Sequence, residues 1–134
     1  MQPISDLKTL LTRMQPVLHP GRYVFVALPS GLALDPEHIV ASIREPEGLS
    51  AILPEHVARE HGLPAAFVAA WITLGVHSDL AAVGLTAAVS RALARAGIGC
   101  NVVAGIRHDH LFVPVEQAQQ AMYALRTVSR LLAR

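Results

Sequence analysis

This sequence has very little cysteine and almost no excess of charge of either sign. Cys100 is the only cysteine among 134 residues, so a disulfide within the chain and a cysteine-rich zinc site are both excluded. The formal net charge is +1 and no basic stripe runs along the chain, which argues against nucleic acid as the main partner. Hydrophobic residues make up 52% and charged residues 16%, a balance that supports a packed core and argues against disorder.

Long uninterrupted apolar runs are also missing. Residues 1–14 are amphipathic and include charged side chains, so they lack the apolar centre of a signal peptide. The apolar run at 63–76 is too short to span a bilayer and contains Pro64 and Gly75. We therefore expect a cytoplasmic protein with no membrane partner. Its length suits one domain or two very small ones packed together.

The first half of the chain predicts a helix, three strands and a second short helix. Ser5 can cap a helix whose apolar positions, from Leu7 to Met14, have helical spacing. Pro16, Pro20 and Gly21 then interrupt it. Strands are expected at 23–28, 39–45 and 49–53, the last two joined by the turn Glu-Pro-Glu-Gly. Pro54 suits the start of a short helix that continues through Glu60.

The second half predicts the order β-α-β-β-α. A strand at 67–76 is apolar on both faces, so the face with Phe67 and Trp71 needs a cover, from the N-terminal sheet or from a second chain. A helix from about Leu80 to Ala96 carries a stripe of apolar residues at helical spacing, and Gly97 suits its end. Strands at 98–106 and 111–115 and a last amphipathic helix follow. Helices on one side of an antiparallel sheet make an α+β sandwich.

The second half also resembles a known family. Residues 84–89 (GLTAAV), 93–94 (LA) and 97–98 (GI) resemble the signature of ACT domains, in which Gly-Leu opens a helix and Gly-Ile enters the next strand. A longer series is similar to a bacterial family of uncharacterised ACT-like proteins and carries the resemblance over nearly the whole chain: 72–74 (ITL), 76–78 (VHS), 100–105 (CNVVAG) and 108–114 (HDHLFVP).

The resemblance implies a ferredoxin-like, ACT-type sandwich in tandem, with an incomplete unit at 1–62 and a fuller one at 63–134, packed as one body. ACT domains commonly pair and bind amino acids or similar metabolites at the interface, often to regulate a linked enzyme. This chain departs from the pattern in carrying no catalytic domain. It also has His-Ser-Asp-Leu at 77–80 where an Asp-Arg-Pro opening is common.

The candidate ligand site follows from this resemblance and from helix chemistry. The loop His77, Ser78 and Asp79 precedes the predicted helix, whose free N–H groups can hold a carboxylate. Ser78 or Asp79 can instead simply cap that helix. The full expected ligand set is His77, Ser78, Asp79, Gly84, Leu85 and Asn101, with Gly84 allowing close approach and Asn101 adding a polar contact or a purely structural one.

Two other groups of residues carry side chains that could bind a metal or act in catalysis. His108 and His110 share a face if 108–110 is extended, but Asp109 then points away and two ligands do not make a metal site. A turn is the alternative for that segment. Cys100 alternates with Ile98 and Val102, which favours packing over nucleophilic catalysis. We expect no metal, no cofactor and no enzymatic activity.

The sequence therefore predicts a non-catalytic module that binds an amino acid or related metabolite, as a homodimer. The alternative is a dimerisation or interaction module without a ligand. A small enzyme using His77 and Asp79, or the 108–110 cluster, is the third class, and it lacks a convincing nucleophile and base.

Overall fold

The computed structural model describes residues 2–132, so residue 1 and residues 133–134 of the two predicted units lie outside the described part. The elements are α1 (Leu7–Thr12), β1 (Pro16–Leu18), β2 (Tyr23–Leu28), β3 (Ala41–Glu45), β4 (Gly48–Pro54), α2 (Glu55–Glu60), β5 (Phe67–Leu74), α3 (Leu85–Arg95), β6 (Asn101–Ala104), β7 (Asp109–Pro114) and α4 (Ala118–Leu132). Short 3-10 turns occupy Pro36–His38 and Val115–Gln117. No helix within residues 2–132 is long and apolar enough to cross a bilayer.

One antiparallel sheet joins both halves of the chain. Its strand order is β3-β4-β2-β5-β7-β6, and β1 also pairs with β5. The halves meet edge to edge where β2 pairs with β5, with Tyr23 opposite Ala69 and Phe25 opposite Phe67. All these pairings are antiparallel. The N-terminal strands therefore extend the C-terminal sheet instead of forming a second layer.

The helices pack on one face of this sheet. Buried apolar residues of α3 and α4 lie in the same cluster as Ile72, Leu74 and Leu111, whose side chains share that face. Helix α1 adds Leu10 and Leu11 to the cluster, and α2 packs against β2 and β4 around Val57. Each fully buried aliphatic side chain contributes about 1.5–3 kcal/mol relative to an exposed one. The predicted α+β sandwich, with β-α-β-β-α in the second half, is confirmed.

The opposite face carries no helix, yet its centre is buried. Ile52, Ala69 and Phe112 form a cluster there, and Phe112 is 0% exposed. Val103 of β6 and Ile43 of β3 line one cavity although their strands end opposite sides of the sheet. The sheet must therefore curve, with this helix-free face on its concave side. The N-terminal strands thus supply part of the predicted cover for the second face of β5.

Three local expectations are wrong at element boundaries. Helix α3 begins at Leu85 and not near Leu80, since Asp79 accepts a hydrogen bond from the Ala81 N–H and holds a turn. Asp6, not Ser5, caps α1, because its carboxylate accepts from the Thr9 N–H at 2.9 Å. Strand β1 begins at Pro16, which the sequence marked only as a breaker.

Candidate functional site

The loop between β5 and α3 is held against the N-terminal segment. Ile4 and Ser78 form an isolated parallel bridge. The Ile4 N–H donates to the His77 carbonyl at 2.8 Å, and the Asp79 N–H donates to the Ile4 carbonyl at 2.9 Å. These two bonds fix the backbone of the predicted site loop. Local sequence patterns could not predict this contact, because the partners are more than 70 positions apart.

Ser78 and Asp109 meet inside this region. Ser78 is 6% exposed, and its hydroxyl donates to Oδ2 of Asp109 at 3.1 Å. Asp109 begins β7 opposite Ala104, on the face that carries the helices. A buried hydroxyl needs such a partner, since leaving it unpaired costs about 1–3 kcal/mol. The structure thus places Asp109 beside the predicted loop, whereas the sequence suggested it only as a turn or metal residue.

Asp79 is fixed by two donors from different segments. Its Oδ1 accepts from the Ala81 N–H at 2.9 Å, and its Oδ2 accepts from the Ser5 hydroxyl at 2.8 Å. The Ala81 N–H first, and the Ser5 hydroxyl next, lower the pKa of the Asp79 carboxyl. Asp79 is therefore a carboxylate in neutral solution, with its orientation set by these two hydrogen bonds.

A cavity of ≈ 100 Å³ lies between this loop, the start of α3 and the end of β6. Its walls carry the carboxylates of Asp79 and Asp109 and the hydroxyl side chains of Ser78 and Thr86, together with Leu85. Carboxylates and hydroxyls can all accept hydrogen bonds from an ammonium group. Three of the six predicted ligand residues, Ser78, Asp79 and Leu85, come together here.

The first turn of α3 borders the same cavity. Its N-cap is Gly84, and no side chain within residues 2–132 caps it, so neither Ser78 nor Asp79 has the predicted capping role. The N–H groups of a first helical turn have no partner inside the helix and can bind an anion. Leu85 and Thr86 of that turn line the cavity.

Glycine at position 84 allows a close contact other than the predicted approach of a ligand. Its φ of +107° lies in the left-handed region, and a Cβ there would come 2.9 Å from Cδ2 of Leu7. The close approach that glycine permits is therefore that of the α1 side chain, not of a ligand. Gly84 positions α3 against α1 and is not among the cavity residues.

His77 and Asn101 lie apart from this cavity. His77 lines a neighbouring cavity of ≈ 400 Å³ with Ile106, Arg107 and His108. Asn101 pairs with Phe112, whose ring contacts Trp71 on the helix-free face, so the Asn101 side chain is on that face as well. The expected contribution of Asn101 to the same site as Asp79 is not supported by this placement.

The segment 108–110 sends its three side chains to different partners. Nδ1 of His108 lies 3.2 Å from the Val76 carbonyl, Asp109 accepts from Ser78, and His110 lies on the helix-free face. Residues 2–132 contain no group of three or more His, Cys, Asp or Glu side chains placed to hold a metal ion. The tight turn between β6 and β7 closes with the Gly105 N–H donating to the His108 carbonyl at 2.9 Å.

A second polar cluster sits on the helix-free face. The Trp71 indole N–H donates to Nδ1 of His110 at 3.1 Å, so Nδ1 is the acceptor in this hydrogen bond. Thr73 Oγ1 lies 2.9 Å from the same Nδ1 and 2.7 Å from Nε2 of His19. The His19 ring stacks on Trp71 with centroids 3.6 Å apart. Burial, reinforced by His108 and His19, lowers the pKa of His110, and burial also lowers the pKa of His19.

Cys100 is partly buried beside the core under the helices, and burial raises the pKa of its thiol to about 11. A thiol with such a pKa is almost fully protonated at neutral pH, and the thiolate is the reactive form. The chemistry at Cys100 therefore matches the packing interpretation.

Comparisons with known proteins identify the same architecture. Two family models described as ACT domain match residues 2–70 and 67–127. A Vibrio cholerae protein of unknown function, described as a possible transport protein, is 43% identical, with a TM-score of 0.79 over 92% of this chain and 95% of that one. No match was found among curated proteins.

Two more distant structures share the fold alone. An Agrobacterium tumefaciens protein is 20% identical, with a TM-score of 0.64 over 85% of this chain and 87% of that one. The ligand-free regulatory subunit of aspartate kinase from Thermus thermophilus is 11% identical, with a TM-score of 0.61 over 84% of this chain and 95% of that one. The first family model covers more than half of the chain and the second most of the rest, so the protein belongs to the ACT domain family, as two ACT-type domains in tandem.

Proposed function

We propose that this protein is a non-catalytic regulatory module that binds an amino acid or a closely related metabolite at the cavity beside Ser78 and Asp79. The observation that carries the proposal is the pairing of opposite chemistries around one cavity. Asp79 and Asp109 supply negative charge, and the uncapped start of α3 supplies backbone donors. An α-amino acid carries an ammonium and a carboxylate close together, and it can use both.

The electrostatic terms set what each group contributes. A carboxylate at an exposed helix N-terminus gains about 0.3–1 kcal/mol from the helix dipole. This is small, so direct hydrogen bonds from Leu85 and Thr86 N–H groups and from the ligand ammonium to Asp109 must supply most of the affinity. Asp79 is already oriented by Ser5 and Ala81, which reduces the ordering cost of binding.

The cavity size favours a small ligand or a small head group. At ≈ 100 Å³ it is far below the roughly 300–1,000 Å³ of sites for drug-sized molecules. His77 lies on the other side of the loop, in the ≈ 400 Å³ cavity with Arg107 and His108. These basic side chains suit an acidic group, so His77 remains part of the proposal as a contact to the distal part of a longer ligand.

A thermal-shift screen of amino acids and nucleotides tests the proposal, since a ligand of the folded state raises the melting temperature by mass action. We expect one or more amino acids to do so. For the ligand found, Asp79→Ala should weaken binding more than His108→Ala, measured by calorimetry on variants shown to be folded, because Asp79 lines the proposed cavity and His108 lines the neighbouring one with His77. Normal binding by Asp79→Ala with loss in His108→Ala would contradict the proposed site.

A module without a ligand is the second candidate, and exposed apolar side chains on α4 favour it. Tyr123 and Leu131 are 68% and 58% exposed and line a groove between α3 and α4. Such a surface suits contact with another protein. A chain that dimerises and shows no thermal shift with any amino acid would support this candidate.

The same proposal includes the assembly, the location and the boundary of the units. We propose a homodimer, because β3 and β6 end the sheet with their outer edges available for pairing.

We propose a cytoplasmic location, since one cysteine allows no disulfide within the chain and the fold needs no oxidising compartment. The division into units 1–62 and 63–134 also stays a proposal.

A further inference from the structure

We propose that the concave, helix-free face of the sheet holds a second site, for a small apolar molecule that carries one amine. The site is a cavity of ≈ 230 Å³ between strands that lie far apart in the sheet order. Phe25, Ile43 and Ile52 come from the N-terminal strands, and Val103 reaches it from β6. It is separated by the sheet itself from the cavity beside Ser78, so it does not depend on the function proposed there.

The apolar side chains that line the cavity favour an apolar group in the ligand. Side chains of Phe25, Ile52 and Ile43 share this face because they stand opposite one another, or two positions apart, in paired strands. Val103 stands opposite His110 on the same face. Ile43 is 59% exposed, so the cavity opens to solvent at the β3 edge. An apolar group entering here leaves water for carbon walls at roughly 25 cal/mol per Å² of buried surface.

One carboxylate decides the charge of the ligand. Glu45 and Ser50 line the same cavity, and the Ser50 hydroxyl donates a hydrogen bond to Oε1 of Glu45. Within residues 2–132 the lining contains no lysine, arginine or histidine. Arg44, the neighbour of Glu45, alternates to the face that carries the helices. An anionic ligand would meet an uncompensated carboxylate, whereas an ammonium group would pair with it.

The size completes the description. A cavity of ≈ 230 Å³ is somewhat below the roughly 300–1,000 Å³ of drug-sized sites, which fits one aromatic ring with a short amine-bearing chain. Phe25 at the cavity lies 5.6 Å from the Phe112 ring, edge-on, and Phe112 stacks on Trp71 at 6.2 Å. Trp71 is the only tryptophan, so its fluorescence reports on this face.

The test uses phenethylamine as the probe and 3-phenylpropionate, similar in size but opposite in charge, as its comparison. Binding to the full chain is followed by calorimetry and by Trp71 fluorescence. We expect phenethylamine to bind at least tenfold more tightly than 3-phenylpropionate. Glu45→Gln should weaken phenethylamine about fivefold, the effect of an exposed ion pair. Glu47→Gln, in the adjacent exposed turn and outside the cavity lining, is the matched control and should bind normally.

Val103→Phe fills the cavity from the edge strand and should abolish binding while the variant stays folded. Equal binding of the two probes, or an unchanged affinity in Glu45→Gln, would overturn the amine assignment. Unchanged binding in folded Val103→Phe would overturn the location. No binding of phenethylamine at millimolar concentration would overturn the site altogether.

Discussion

Gly84, at the start of α3, lies close to Leu7 of α1, and a Cβ at position 84 would crowd that side chain. Alanine at this position would need a left-handed φ of +107° and would bring its Cβ to 2.9 Å from Leu7. A non-glycine residue in such a conformation costs of order 1–3 kcal/mol. We expect Gly84→Ala to lower the unfolding free energy by about that amount, measured by urea denaturation, because the partly exposed end of the Leu7 side chain can move aside and the backbone strain remains.

Gly31→Ala is the matched control for this change. Gly31 has a φ of +84°, but a Cβ there would meet nothing within 4 Å. It therefore carries the backbone strain without the contact to Leu7. We expect similar losses in the two variants, and a much larger loss in Gly84→Ala would contradict the expectation that backbone strain sets the cost.

His110 gives the helix-free face a pH dependence. Burial first, and then His108 and His19, lower its pKa below the ordinary value of 6.5, while Asp109 opposes the shift. The folded state therefore binds fewer protons than the unfolded one, so stability is full above pH 6.5 and falls as the pH drops through and below it. Protonation at Nδ1 would also replace the acceptor that Trp71 uses.

We expect the urea midpoint of the natural chain to fall between pH 8 and pH 5, and to fall less in His110→Gln. His38→Gln is the control, since His38 lies exposed in a 3-10 turn. His110→Gln with the same pH dependence as the natural chain would show that His110 is not the group responsible.

Sequence reasoning identified three of the residues that line the candidate cavity. Ser78, Asp79 and Leu85 could be located because they flank the start of a strongly amphipathic helix. Asp109 could not be located, since its contact with Ser78 depends on the register between β5 and β7 and on the path of the loop after β5. The face of Asn101 could not be predicted, because a one-residue change in strand register moves a side chain to the other face, and Asn101 lies on the face away from the candidate cavity.

Among the elements, the N-terminal segment restrains the site loop. Residues Ile4 and Ser5 contribute two backbone hydrogen bonds and one side-chain hydrogen bond to residues 77–79. We expect removal of residues 2–5 to speed hydrogen exchange of the Asp79 amide, whose acceptor is the Ile4 carbonyl. The Gly75 amide, bonded to the Gln15 carbonyl at 3.0 Å, should exchange as before. Unchanged exchange at Asp79 would contradict the restraint.

The long amphipathic elements were predictable, and their ends were not. Stripes of apolar residues at helical spacing identified α3 and α4, because a helix with such a stripe buries that face against a sheet. The start of α3 was placed too early, because the local hydrogen bond from Ala81 to Asp79 competes with helix formation in a way that periodicity does not show. Strand β1 was missed because Pro16 reads as a breaker, although it tolerates pairing with Leu74.

At the scale of the whole molecule, the sheet curvature was invisible in the sequence. Alternation showed that β5 is apolar on both sides and needed cover, but it could not show that distant strands would provide it by curving. Apolar residues on both faces thus have two explanations, a second layer or a curved sheet. The structure has the curved sheet, with Phe112 buried on the concave side.

The two free edges of the sheet favour association of one chain with another. We expect a homodimer in sedimentation experiments, since the tandem sheet ends in the short edge strand β6 and in β3. Val102→Pro should weaken the dimer if β6 forms the contact, because proline removes a backbone donor. A monomer across the micromolar range would contradict the predicted assembly.

Amide chemical-shift mapping of the full chain against each of the twenty amino acids tests whether an amino acid binds at the cavity beside Ser78 and Asp79. We expect at least one amino acid to shift the amides of Ser78, Asp79, Leu85, Thr86 and Asp109, and Asp109→Asn to reduce the response. If no amino acid shifts these amides, or if the shifts lie only elsewhere in the sheet, amino acid binding at this cavity is contradicted.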